Sequence, residues 1–227
     1  MSKSTPRRIK ADIEQLLPNI EVRTLFDVGA NVGQTVMAMR PLFPEAKLYA
    51  FEPVRASYEQ LLDTAGNFDD TECFNLALSD ANSAATMLAR GTSQNNRIVE
   101  QSGSQTEEVS LISGDIFCEE HGIDHIDYLK IDTEGHEMQV LRGLQSMLSD
   151  YRVDLIELEA GMNWGNKKHT PFEHLKGYLE PMGYYLFRFY EQVAEKRGRP
   201  HLRRVNVVFI SQPTVEGNIR VKKEVSA

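Results

Sequence analysis

Cysteine is nearly absent. Cys73 and Cys118 are the two in 227 residues, and they stand far apart. A disulfide scaffold is therefore not what holds the chain, and two reduced core thiols are expected. No run of 18 or more apolar residues occurs, which argues against a membrane-spanning helix. Residues 1–10 are basic but lack the apolar segment of a signal peptide, so a cytoplasmic location is expected. Positive charge is also short: 25 Lys and Arg stand against 33 Asp and Glu, a net charge of −8. That balance argues against a nucleic-acid-binding surface spread over the molecule. Basic residues gather most in segments 188–204 and 219–223. The pairs Arg203-Arg204 and Lys222-Lys223 are too sparse to favour an RNA track, and solvated charges are the simpler reading. There is no internal repeat and no boundary that would split off a second folded domain.

What is present fits one large soluble domain with a substantial core: 41% of residues are apolar and 26% charged. Apolar runs at 24–28, 47–51, 71–78, 126–131 and 153–158 read as strands. Helical patterns lie between them, one opening at Gln34 and stopped by Pro41, one at 57–65, and one carrying Met138, Val140, Leu141, Leu144 and Leu148. This alternation predicts βαβ units and a mostly parallel sheet. Two last strands are expected at 183–190 and 205–210, with the charged stretch 191–204 as a surface excursion. Residues 1–23 read as an N-terminal segment with a covering helix, 24–212 as the main domain, and 213–227 as a frayed tail. The rhythm breaks at 81–108, rich in Ser, Asn, Gln and Thr. Short strands fit at 84–88 and 109–112, and the long loop 90–106 is either an acceptor-side lid or disordered.

The first expected strand ends in Asp27-Val28-Gly29-Ala30-Asn31-Val32-Gly33 and opens a helix. Glycines let the backbone pass close to a ligand, and a helix start presents unpaired N–H groups. A dinucleotide fingerprint needs Gly-x-Gly-x-x-Gly, yet here the second and third positions are Asn31 and Gln34. The turn thus disfavours a nicotinamide-dependent oxidoreductase and suits a ligand that lacks pyrophosphate and carries an ammonium and a carboxylate, such as S-adenosylmethionine. Glu52 ends the next strand about 20 residues on, where a carboxylate accepts from ribose hydroxyls. Ser79 and Asp80 end the third, placing Asp80 near the adenine amine. Asp27 reaches the amino-acid end, directly or through water, or is a buried carboxylate with a structural role.

A second polar cluster follows the strand at 126–131: Asp132, Glu134, His136 and Glu137, with Glu157 and Glu159 sharing a face on the next strand. Ligands of open α/β sheets bind beyond the carboxyl ends of the strands, which brings this cluster toward the first turn. Asp132 and His136 are the first candidates for a proton acceptor, with Glu134 and Glu159 as supports. Glu137 reads as a group that complements a helix start. Asp132, Glu134, His136 and Glu159 also allow a hard-metal site. That arrangement is not the favoured one, so no metal ligand is assigned. His121 and His125 straddle a helix end and a strand, a poor ligand pair. Trp164, His169, Tyr184 and Tyr185 are candidates to line an acceptor site.

These residues carry a family likeness. Asp27–Gly33, Phe51-Glu52-Pro53, Ala77-Leu78-Ser79-Asp80 and, most distinctively, the block from Leu129 through Lys130, Asp132, Glu134, Gly135, His136 and Glu137 to Leu141-Arg142-Gly143 resemble the FkbM family of S-adenosylmethionine-dependent methyltransferases. The resemblance runs over about 24–159. It implies a Rossmann-like class I methyltransferase fold, a mostly parallel seven-stranded sheet with the last strand antiparallel and helices on both faces. It implies S-adenosylmethionine as cofactor, with Asp27, Gly29, Asn31, Glu52 and Asp80 lining its pocket. Gly33 of the turn and Ser79 beside Asp80 complete the expected cofactor-binding set. It implies O-methylation of a sugar, glycan or natural product, with Asp132 and its neighbours facing the acceptor. The rival from another class is a non-catalytic nucleotide-binding protein that keeps the fold. Neither the acceptor nor the oligomeric state is legible from the residues.

Overall fold

The computed structural model describes residues 5–92, 96–99, 103–163, 165–166 and 168–219. In chain order the elements are α1 (Thr5–Leu16), β1 (Thr24–Val28), α2 (Gln34–Met39), β2 (Lys47–Phe51), α3 (Arg55–Ala65), β3 (Thr71–Phe74), β4 (Ala77–Ser79) and β5 (Ser83–Leu88). Then come β6 (Arg97–Ile98), β7 (Thr106–Ser113), α4 (Gly114–Glu120), β8 (Ile126–Ile131), α5 (Glu137–Gly143), α6 (Gln145–Ser149), β9 (Val153–Gly161), α7 (Phe172–Leu179), β10 (Tyr184–Ala194), β11 (Leu202–Ser211) and α8 (Gln212–Gly217).

Seven strands form the main sheet in the order β10-β11-β9-β8-β1-β2-β3. The pairs among β3, β2, β1, β8 and β9 are parallel, and β11 runs antiparallel to both β9 and β10. This is the Rossmann-like arrangement the resemblance implies. The chain leaves β1 toward β2 on one side, while β8 occupies the other side. The carboxyl ends of β1 and β8 therefore flank the crevice where such sheets bind ligands.

Strand alternation sends side chains to two cores. Phe26, Phe51, Leu129, Ile131, Ile156 and Leu158 pack with Phe117, Val140 and Leu141 from α4 and α5. Leu25, Leu48, Tyr128, Leu155, Val208 and Ile210 pack on the other face with Ile9 and Ile13 of α1, Val36 and Met39 of α2, and Leu61 of α3. Helix α1 is the expected covering helix. Ile9 and Ile13 are its buried stripe, and Asp12 accepts a hydrogen bond from Tyr190 Oη at 2.8 Å.

The structure corrects three readings. Residues 71–78 are not one strand: β3 belongs to the main sheet, whereas β4 joins a second sheet of order β4-β7-β5-β6. Asn75 turns the chain there, its amide donating to the carbonyls of Glu52 and Pro53. The stretch 191–204 is less an excursion than the extended arms of the β10–β11 hairpin, whose register shifts between Tyr190 and Val193. A bulged edge hairpin tolerates charged residues that a central strand would exclude. Helix α8 crosses the expected start of the tail, with Ser211 as its cap. Of the loop 90–106, residues 93–95 and 100–102 lie outside the described residues, and Arg97 and Ile98 pair with β5. No helix among the described residues is long and apolar enough to cross a membrane, and both cysteines are free thiols.

Candidate active site

At the end of β1 the backbone turns through Gly29 at φ 87°, Asn31 at φ 50° and Gly33 at φ 90°. Gly29 is required twice over. Its φ is left-handed, and a Cβ there would stand 2.1 Å from the Asp132 carbonyl oxygen. That close approach ties the turn to the end of β8, where Asp132 N donates to Val28 O at 2.9 Å. On the other side, Gly29 N and Ala30 N both donate to Phe51 O at 3.0 and 2.9 Å.

Glu52 follows Phe51 and is 5% exposed. Asn31 N donates to its Oε2 at 2.9 Å and Val54 N to its Oε1 at 2.8 Å. Each oxygen keeps a lone pair free. Burial pushes the carboxyl up to about 7, against the pull of those two N–H donors. Glu52, Gly29 and Asn31 line a cavity of about 600 Å³, with Leu78 and Met87 on its apolar side. Asn31 Oδ1 is buried there without a hydrogen-bond partner.

The same cavity reaches across the carboxyl ends of β8 and β9 and the amino end of the antiparallel β11, where the α1-facing side of the sheet turns polar. Asp27, Lys130 and Glu157 lie in register across β1, β8 and β9. Lys130 Nζ is 3.5 Å from Asp27 Oδ1 and 3.2 Å from Asp132 Oδ2. Glu157 accepts from Tyr128 Oη at 2.6 Å and Asn206 Nδ2 at 2.7 Å. Burial pushes the Asp27 carboxyl above its ordinary value despite Lys130. It also works to lower Lys130, but the Asp132 and Asp27 carboxylates outweigh it and hold the ammonium above its ordinary value. Burial would raise Asp132 too, yet the Lys130 ammonium outweighs it and keeps that carboxyl below the usual range.

Beyond this row, Glu159 contacts both Arg204 and the Nε2 of His169. Glu134, at φ 54°, pairs with Lys168 Nζ at 2.8 Å, and its carboxylate lies 3.9 Å from His169 Nε2. Burial raises Glu134 and lowers His169. His136 is also lowered by burial, and its Nε2 sits 2.9 Å from Ser79 Oγ.

The four residues expected to carry chemistry, Asp132, Glu134, His136 and Glu159, all line this cavity. The cofactor set divides. Gly29, Asn31 and Glu52 line it, whereas Asp27 lies behind Lys130, fully buried. Gly33 shapes the turn, and Ser79 and Asp80 are not among the lining residues. Ser79 is buried against His136, and Asp80 is exposed. Ala77 and Leu78 line the cavity in their place. Glu137 is structural: it accepts from Thr133 N and Gly135 N through one oxygen and from Thr170 through the other. His121 stacks on Phe117 and His125 pairs with Asp154, so they form no ligand pair. His169 lines the cavity. Tyr184 is fully buried in the core, and Tyr185 is 44% exposed. Trp164 lies outside the described residues.

Sequence reasoning missed Lys130, Lys168 and Arg204. Lys130 had a signal, a lysine in the middle of an apolar strand and two residues before Asp132. Lys168 and Arg204 had none, because only the fold carries them to Glu134 and Glu159.

The methyltransferase FkbM domain matches residues 27–186, well over half of the chain. The chain belongs to that family. Hexuronic acid methyltransferase AglP of Haloferax volcanii is 28% identical over 145 residues, covering 61% of this chain and 57% of the relative. The 2-O-methyltransferase NoeI of Sinorhizobium fredii is 24% identical over 145 residues, covering 56% and 60%. The chain thus spans less than two thirds of the length of these curated relatives. Among solved structures, Aeropyrum pernix fibrillarin with natively bound S-adenosyl-L-methionine superposes with a TM-score of 0.50 at 13% identity, over 89% of this chain and 74% of that one. Methanococcus jannaschii fibrillarin, a pre-rRNA processing protein, gives 0.51 at 12%, over 85% and 69%. At these identities the likeness is one of fold.

Proposed function

We propose that this protein transfers the methyl group of S-adenosylmethionine to a hydroxyl oxygen of a sugar, a glycan or a sugar-like natural product. The carrying observation is Glu52. Its two oxygens are fixed by Asn31 N and Val54 N and still have acceptor capacity toward the cavity. That donor-seeking pair fits a ribose diol. The unpartnered Asn31 Oδ1 fits an ammonium or hydroxyl of the same ligand.

When bound, S-adenosylmethionine supplies a sulfonium methyl that an oxygen nucleophile can take. The protein's part is to hold the acceptor hydroxyl and receive its proton. Asp132 is the group assigned to the proton: it is a carboxylate on the cavity wall, about one third exposed, kept ionised by Lys130. Glu134 and Glu159 offer further acceptors for acceptor hydroxyls. His136, with Nε2 engaged by Ser79, has its ring oriented by that contact. Positioning supplies most of the rate in such a transfer, and a placed base adds about 10²–10⁴-fold.

The sugar class rests on the lining. Phe51 is the one Phe, Tyr or Trp among the described lining residues, so the cavity has little platform for stacking a base. Its acceptor side is built of paired charges that can hydrogen-bond hydroxyls. The names of two relatives, a hexuronic acid methyltransferase and a 2-O-methyltransferase, agree with that class.

The test has two stages. Calorimetric titration with S-adenosylhomocysteine comes first, and absence of binding by the folded chain would sink the reading. Labelled methyl transfer to uronic acid and neutral glycosides follows, with Asp132→Asn and His136→Ala compared to the parent. If both variants keep full turnover on a verified acceptor, the assignment of the proton to this group is wrong.

A further inference from the structure

We infer that Glu134, Glu159 and His169 form a binding site for one divalent cation of the Mg²⁺ or Mn²⁺ class on the acceptor side of the cavity. One ligand atom from each of the three lies within 4.8 Å of the others, so a small inward shift of the carboxylates lets a single ion reach all three with bonds of about 2.0–2.2 Å. They come from three places in the chain. Glu134 sits on the turn after β8, Glu159 near the end of β9, and His169 on the segment before α7. His169 is 4% exposed and Glu159 is 8% exposed. The imidazole is held from behind. Its Nδ1 meets the Asn166 side chain at 2.9 Å, which leaves Nε2 facing the two carboxylates. Such an outer contact fixes the ring of a ligating histidine.

A second observation lies on the same wall. Asn206 pairs with Glu159 across β11 and β9, is 8% exposed and lines the cavity. Its Nδ2 donates to Glu157, while its Oδ1 is buried with no hydrogen-bond partner. A buried amide oxygen left without a donor is costly, and a cation or its bound water would satisfy it. The oxygen-rich donor set with one imidazole favours Mg²⁺ or Mn²⁺ over softer ions.

This set differs from the one that spacing alone suggested. His169 takes the place of His136, whose Nε2 is turned to Ser79. Lys168 and Arg204 flank Glu134 and Glu159. With the ion bound they serve as outer partners that orient the carboxylates. Lys130, Lys168 and Arg204 offset only part of the charge of Asp27, Asp132, Glu134, Glu157 and Glu159, so a divalent ion brings this end of the cavity closer to neutrality. A bound cation there would stabilise a hydroxyl losing its proton. This last point rests on the methyl-transfer reading, whereas the site itself does not.

The experiment is a titration of the whole chain with Mn²⁺, followed by electron paramagnetic resonance, with S-adenosylhomocysteine binding measured separately. The expected result is one saturable Mn²⁺ per chain, weakened about tenfold or more in Glu159→Gln and His169→Ala, with S-adenosylhomocysteine affinity retained in both. Retained nucleoside binding shows that the variants are folded. Absence of saturable Mn²⁺ binding in the parent chain would overturn the site, as would unchanged binding in both variants. If Mn²⁺ binds as described but S-adenosylhomocysteine does not, the metal site stands and the methyl-transfer reading falls.

Discussion

Lys130 of β8 and Asp132, one step past the end of that strand, bring their charged groups within 3.2 Å beside the buried carboxylate of Asp27. One ammonium thereby serves two carboxylates with different tasks: Asp27 closes the core, and Asp132 faces the cavity. Lys130→Met is expected to cost roughly 3–5 kcal/mol of stability, because it strands a buried charge. The double variant with Asp27→Asn should recover part of that loss, measurable as a coupling in a denaturation cycle. Once a methyl acceptor is in hand, the acid limb of kcat/KM in Lys130→Met should move to higher pH. Burial would then act on Asp132 without its counter-charge.

Glu52→Gln should weaken S-adenosylhomocysteine binding by about tenfold or more, since an amide puts donors where ribose hydroxyls also donate. Stability at pH 7 or above should change little, because relief of a buried carboxylate is offset by an amide NH2 facing one of the Asn31 and Val54 N–H donors. Thermal melts and calorimetry on the same samples check both. A variant that binds normally would remove Glu52 from the cofactor's partners.

The Glu52 carboxyl also sets a pH signature. It titrates at about 7 in the fold against 4.5 ordinarily, so between these values the folded chain holds the extra proton. Its contribution to stability is present below the unfolded value and is lost as pH rises through about 7. A ligand that donates to both oxygens favours the ionised form. Binding of S-adenosylhomocysteine near pH 7 should therefore release protons and weaken as pH falls toward 5. Calorimetry in buffers of different ionisation enthalpy reads this directly.

Gly143 is needed for space: a Cβ there would stand 1.7 Å from Ser79 O. Gly143→Ala should push α5 away from β4 and cost about 1–3 kcal/mol, read as a lowered Tm. Because Ser79 holds His136, the ring should lose its fixed position, visible as a changed imidazole resonance by NMR.

Glu137→Ala should loosen the turn that carries Asp132 and Glu134, since Thr133 N, Gly135 N and Thr170 N all donate to that carboxylate. The expected loss is about 1.5–3 kcal/mol per such charged contact network, with faster amide exchange at Thr133 and Gly135. Unchanged protection there would mean that the turn is held by other contacts.

Much of the fold was legible in the residues. The strands at 24–28, 47–51 and 126–131 have the bounds their apolar runs predict, because a strand buried on both faces must be apolar until it meets the polar edge. Residues 71–78 misled for the same reason. An apolar run gives no sign of which sheet its ends join, and Asn75 divides it. Local spacing also brought out Asp132 and Glu159, since each sits one step past an apolar run, 126–131 and 153–158.

The sequence by itself determined the glycine turn, the carboxylate that follows the second strand and the acidic ends of β8 and β9. Those features depend on contacts within a few residues or on the strict alternation of a strand. Only the tertiary structure decided which charges meet. Lys168 reaches Glu134 across 34 positions of chain, and Arg204 reaches Glu159 through the antiparallel pairing of β11 with β9. It likewise turned His136 toward Ser79 and brought His169 to the carboxylates. A side chain's partner across the sheet is set by strand order and register, and neither is written in the residues on either side of it.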